Sequence, residues 1–111
     1  MAVVLSSSLL SSQPMALEDN EINTVINAIN NFIGANNFFE TPLMLFPSLN
    51  LARIQMEYEN IFDQPNMTVN LVLVRSRYKI YFCNVNNMVY QVITDDFTNH
   101  VYQVLHVNPN F

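Results

Sequence analysis

The chain has 111 residues, half of them hydrophobic and 12% charged, a balance that excludes a disordered tail. Its net charge of −5 comes from four basic and nine acidic residues with no basic run, which excludes stand-alone nucleic-acid binding, because phosphate neutralisation needs clustered Lys and Arg. One Cys, two His and one Gly exclude a disulfide scaffold, a zinc cluster and a glycine-rich phosphate loop, so no cofactor or metal is expected, and no apolar run reaches the roughly 18–20 residues that span a bilayer.

Residues 1–16 hold a short apolar stretch broken by serines, without the positive start of a secretory leader. They read as a linker or a frayed helix end. Ile22, Val25, Ile26, Ile29, Phe32 and Ile33 then recur at three- and four-residue steps and predict an amphipathic helix over 20–33. Asp19 is placed as its N-cap, Glu18 and Glu21 suit the positive end of its dipole, and Gly34 is placed just past its end. Pro42 pushes Thr41 toward extended backbone and ends any helix there.

Alternation of Ala52, Ile54, Met56 and Tyr58 with Arg53, Gln55 and Glu57 predicts a half-buried antiparallel strand. Asp63–Asn66 is a turn. Residues 67–74 fit a strand or a short buried helix. Residues 78–85, 88–94 and 100–107 predict strands joined by an Asn86-Asn87 turn and by a connection over 95–99. Val-Tyr-Gln-Val occurs at 89–92 and at 101–104, which suits two neighbouring strands of a hairpin. The fold class is therefore α+β, one amphipathic helix followed by short antiparallel strands.

Candidate chemistry is sparse. Cys83, in an alternating strand, is either a small buried hydrophobe or, in a secreted chain, an odd thiol that pairs with another chain. His100 and His106 would share one face of a strand, and Asp95-Asp96 sits in a turn where acidic residues are ordinary. Asn66-Met67-Thr68 is a glycosylation sequon in a turn, which matters if the chain is secreted.

One order of residues is more specific. Leu17-Glu18-Asp19, the helix, Asn36-Asn37, Phe39-Glu40-Thr41-Pro42-Leu43-Met44-Leu45 and Arg53-Ile54-Gln55-Met56 resembles the C-terminal part of plant ribosome-inactivating proteins, the ribosomal-RNA N-glycosidases. The match covers about residues 17–56. That family carries Leu-Glu-Asn-x-Trp before the helix; here Glu18 is kept, Asp19 replaces the Asn and Glu21 replaces the Trp that walls the adenine pocket. The catalytic Glu and Arg of the family lie before this region and have no counterpart here.

The resemblance implies that residues 17–83 are the C-terminal lobe of an N-glycosidase-like hydrolase domain and that 84–111 is a hairpin-like tail of unknown affiliation. It implies a companion chain carrying the catalytic half, packed on the apolar helix face. It further implies an interchain disulfide from Cys83 to a sugar-binding lectin chain, a glycan at Asn66 and a secreted or vacuolar location. Ribosomal RNA would be met only through the assembled domain. With Glu21 in the pocket wall, activity is expected to be weak or absent. The alternative is a small β-rich interaction or coat-type module that assembles through edge strands and has no enzymatic role.

Overall fold

The computed structural model describes residues 17–35 and 49–110. The motif residues at 36–45 and the linker at 1–16 lie outside them. Two helices, α1 (Asp19–Ala35) and α2 (Leu51–Phe62), precede four strands: β1 (Val69–Val74), β2 (Tyr78–Val85), β3 (Met88–Asp95) and β4 (Val101–His106). The strands form one antiparallel sheet in the order β1-β2-β3-β4. The architecture is α+β.

The sheet lies between the helices. On one face Val25, Ala28 and Ile29 of α1 pack on Tyr81, Cys83, Val85, Tyr90, Val92 and Val104. On the other, Ile61 of α2 packs on Val72, Ile80, Phe82, Val89, Ile93 and Val107. Helix α1 lies over β2–β4 and α2 over β1–β3. The two cores explain why β2 and β3 are buried along most of their length: both of their faces are covered. Burying each large side chain of the α1 stripe contributes about 1.5–3 kcal/mol. The chain's own sheet buries Val25 and Ile29 of that stripe and partly covers Ile26 and Phe32, while Ile33 stays 49% exposed.

Three expectations are corrected. Residues 52–58 are helix, not strand. Ile54, Tyr58 and Ile61 lie at i, i+4 and i+7 and make the inner face of α2. Asn50 caps the helix, its Oδ1 accepting from the Arg53 N–H at 2.8 Å. A helix of this length satisfies its own backbone, whereas a strand here would need a partner. Second, residues 84–111 are not a separate tail, because β3 and β4 complete the same sheet and the 83/84 boundary falls inside β2. Third, Glu18 rather than Asp19 holds the N-cap position of α1, its carbonyl accepting from the Ile22 N–H at 3.1 Å, and Gly34 lies inside the last turn without a left-handed φ.

Residues 67–74, open between helix and strand, form β1. The Asn86-Asn87 turn is a two-residue hairpin with φ of 54° and 66°. The two Val-Tyr-Gln-Val segments lie on adjacent strands, with Val92 opposite Val104. Among the described residues, no helix is long and apolar enough to cross a membrane.

Candidate functional site

Both helices run from one end of the sheet to the other. Glu21 near the start of α1 meets Lys79 and Tyr81 at the start of β2, and Phe32 near its finish meets Tyr90 at the start of β3. The end holding the helix starts also carries the β1–β2 turn and the β3–β4 connection. Candidate residues far apart in sequence meet here: Glu18 and Glu21 from α1, Asp95 and Asp96 from the end of β3.

Glu18, Asn20, Glu21, Lys79, Asp96, Phe97 and Asn99 line a half-open depression of about 390 Å³. Phe97 stands at its rim, 79% exposed. Oε2 of Glu21 accepts from the Tyr81 hydroxyl at 2.6 Å and from Lys79 Nζ at 3.1 Å. Its Oε1 accepts from the Glu18 N–H at 3.2 Å, the returning half of a capping box. Burial alone would raise the Glu21 pKa; the bonds from Tyr81, the Glu18 backbone and Lys79 outweigh it and hold the carboxyl below its ordinary value. Tyr81 is pushed far up by burial and by donating to Glu21. Lys79 is shared, with Asp96 at 3.6 Å on its other side.

Asp95 faces the α2 side of the same end, its side chain 5% exposed. Its Oδ1 accepts from the N–H groups of Phe97 and Thr98 at 2.8 and 3.0 Å, and Oδ2 from the Tyr102 hydroxyl at 2.8 Å. The Phe97 backbone bond first, then Tyr102 and Thr98, lower its pKa to about 2. An acidic turn residue is thus the anchor of the β3–β4 connection.

This arrangement binds charge more readily than it moves protons. Glu21 and Asp95 stay ionised, the Tyr81 proton is committed to Glu21, and Lys79 lies between two carboxylates. Glu18, Asp19 and Glu21 do not act together: Glu18 and Glu21 line the depression, while Asp19 is an exposed first-turn residue. Lys79, Tyr81 and Phe97 were not foreseen. The signal for the first two was the i, i+2 spacing that puts them on the α1 face of β2.

The remaining candidates lie elsewhere. Cys83 is 0% exposed in the core under α1, and burial pushes its thiol up to about 11. That burial weighs against an interchain disulfide there, since the core would have to open for the sulfur to meet a second chain. His100 and His106 do not share a face, because the register slips between β3 and β4 at Tyr102. His100 rests on Tyr102, centroids 5.0 Å apart, and His106 on Tyr90 at 5.4 Å, rings that belong to opposite faces. No group of three His, Cys, Asp or Glu among the described residues could hold a metal. Asn66 is exposed at the opposite end. Its Oδ1 accepts from the Asn86 N–H at 2.6 Å, and its Nδ2 donates to Asn86 Oδ1 at 3.3 Å. No protein family, curated protein or solved structure matches the chain.

Proposed function

We propose that the chain is a non-enzymatic interaction module that joins a partner through a strand edge. The observation that carries this is β4, which among the described residues forms an edge of the sheet and has no charged side chain. An edge of that kind offers a row of backbone donors and acceptors to an incoming strand.

The N-glycosidase-like reading, with its catalytic companion chain and linked lectin chain, is the second proposal. Glu18 and Glu21 at one depression favour it. The helical Arg53 segment, the buried Cys83 and the α1 stripe, most of it covered by the chain's own sheet, weigh against it. Measuring free adenine after incubating the protein with ribosomes tests the non-enzymatic reading. Release at the level of the blank, for the native chain and for Glu21→Trp alike, is expected. Release clearly above the blank would sink the interaction-module reading.

A further inference from the structure

Among the described residues Met56, Met67 and Met88 hold exposed side chains, Met88 at 44%. Of the three, the Met88 sulfur is the one that accepts a hydrogen bond from a described residue. Met88 and Tyr90 lie at i and i+2 on β3 and so share a face of the sheet. The Tyr90 hydroxyl donates to Met88 Sδ at 3.9 Å. Tyr90 itself is 4% exposed and belongs to the core under α1.

A buried phenol needs a hydrogen-bond partner, and a thioether is a weak one. Burial raises the Tyr90 pKa, which keeps the proton on the oxygen and the hydroxyl a donor. The ring is held from two sides. It meets Phe32 of α1 edge-on, centroids 6.2 Å apart, and His106 of β4 at 5.4 Å with a tilt. A well-fixed donor thus points at a poor acceptor, on a side chain that solvent reaches.

We infer that Met88 is a site of reversible oxidation by hydroperoxides, whose sulfoxide oxygen takes the Tyr90 hydroxyl as donor and tightens the β2–β3 hairpin against α1. This does not depend on the strand-edge reading. The step balances with the peroxide alone. The sulfur lone pair attacks one peroxide oxygen and forms the S–O bond as the O–O bond breaks. The other oxygen keeps the bonding pair, takes the proton of the transferred oxygen and leaves as water. Sulfur loses two electrons and the peroxide gains them.

The present geometry has room for the new atom. An S–O bond of about 1.5 Å and an O–H···O bond of about 2.7 Å, bent at the shared oxygen, span the existing 3.9 Å. The Tyr90 ring therefore stays where Phe32 and His106 hold it. Sulfoxides formed inside a core disrupt packing. The Met88 side chain is already half in water, so oxidation forfeits little burial and replaces a weak acceptor by a strong one. Cys83 does not compete for the oxidant, because it is fully buried and its thiol is pushed up to about 11.

The test treats the full 111-residue chain with hydrogen peroxide and follows each methionine by peptide mass. Met88 should oxidise in the native protein alongside Met56 and Met67. Oxidation should shift the melting temperature of the wild type upward, relative to Met88→Leu carried through the same treatment, by about 3 °C or more. The other methionines react alike in both proteins, so the difference isolates Met88. Tyr90→Phe keeps the ring and loses the hydroxyl; it should respond as Met88→Leu does. Met88→Gln sets an amide oxygen near the same place without oxidant, and should stabilise the chain that has Tyr90 more than the chain carrying Tyr90→Phe. Methionine sulfoxide reductase should reverse the wild-type shift. Met88 left intact while Met56 and Met67 react, equal shifts in the wild type, Met88→Leu and Tyr90→Phe, or a wild type lowered further than Met88→Leu by oxidation would each overturn the inference.

Discussion

The two ends of the sheet are tied down by different chemistry. At the end where the helices start, the ties are carboxylates: Glu21 holds Lys79, Tyr81 and the N-cap of α1, and Asp95 holds the β3–β4 connection. At the other end they are amides. Nδ2 of Asn84 donates to the carbonyls of Gln64 and Phe62 at 3.1 and 3.4 Å, its Oδ1 accepts from the Asn87 N–H at 3.0 Å, and Asn66 clasps Asn86. Helix polarity accounts for the division. Helix starts present unpaired N–H groups and attract carboxylates; helix finishes present unpaired carbonyls and need donors. Neither helix has a basic residue in its last turn. With four cations in the whole chain, the asparagine amide takes over as donor.

The amide end should be the more costly to disturb, because its hub is buried, with Asn84 1% exposed. Asn84→Leu strands the carbonyls of Phe62 and Gln64 and the Asn87 N–H together, and is expected to cost about 3 kcal/mol. A denaturant midpoint within error of wild type would show that α2 is not anchored to the β2–β3 turn through this residue.

At the charged end Glu21→Ala frees the Lys79 ammonium, the Tyr81 hydroxyl and the N-cap amide, and is expected to cost about 2 kcal/mol. The two ends then respond differently to salt. At about 1 M salt the Debye length falls to roughly 3 Å, so the Glu21→Ala penalty should shrink while the Asn84→Leu penalty stays. Equal behaviour of both variants in salt would remove the distinction between the ends.

Acid should separate them further. Asp95 sits at about 2 against an ordinary 3.8, and Glu21 is also lowered. Groups lowered by folding contribute stability that is complete above their unfolded pKa and is lost as pH falls through the folded one. Melting temperature should therefore hold above about pH 5 and drop between roughly pH 4 and 2. Asp95→Asn should flatten part of that drop and Asn84→Leu should not. The Cys83 thiol gives the opposite sign: raised by burial from 9.0 to about 11, it favours the fold below pH 9 and withdraws that support as pH rises toward 11. Alkylation of Cys83 in the native protein should be negligible until denaturant is added.

Much of this division could be read from the residues, and some could not. The α1 stripe and the strands over 78–107 follow from periodicity, because each segment is long enough to show a single period. The stretch 52–58 misled because seven residues with apolar positions two apart fit a strand. Only on reaching Ile61 does the i, i+4, i+7 row of Ile54, Tyr58 and Ile61 appear, and the Asn50 cap supports it. The site was half legible. Glu18 and Glu21 stand out as acids at a helix start, but their partners Lys79 and Tyr81 lie about 60 residues away, and no local pattern encodes a contact across that gap. Cys83 could be placed on its strand but not in the core, since covering of the second sheet face depends on where α1 lands.

The smallest expected effect lies at the amide end. Among the described residues, four non-glycine residues have positive φ: Asn86, Asn87 and Asn99, and Met67 at 71°. Asparagine tolerates this region because its short polar side chain bonds locally; an ordinary side chain pays roughly 1–2 kcal/mol for it. Met67 is kept there by its N–H, which donates to the Asn84 carbonyl at 2.7 Å, and by the neighbouring Asn66–Asn86 clasp. Its side chain is 37% exposed, so replacing it forfeits little packing. Met67→Asn should relieve the backbone while keeping the Asn66–Thr68 sequon, and is expected to stabilise the chain by about 0.5–1 kcal/mol. Met67→Val, β-branched and intolerant of positive φ, should destabilise it. If Asn and Val at this position shift the denaturant midpoint in the same direction, the left-handed backbone at 67 is not what sets the stability of this turn.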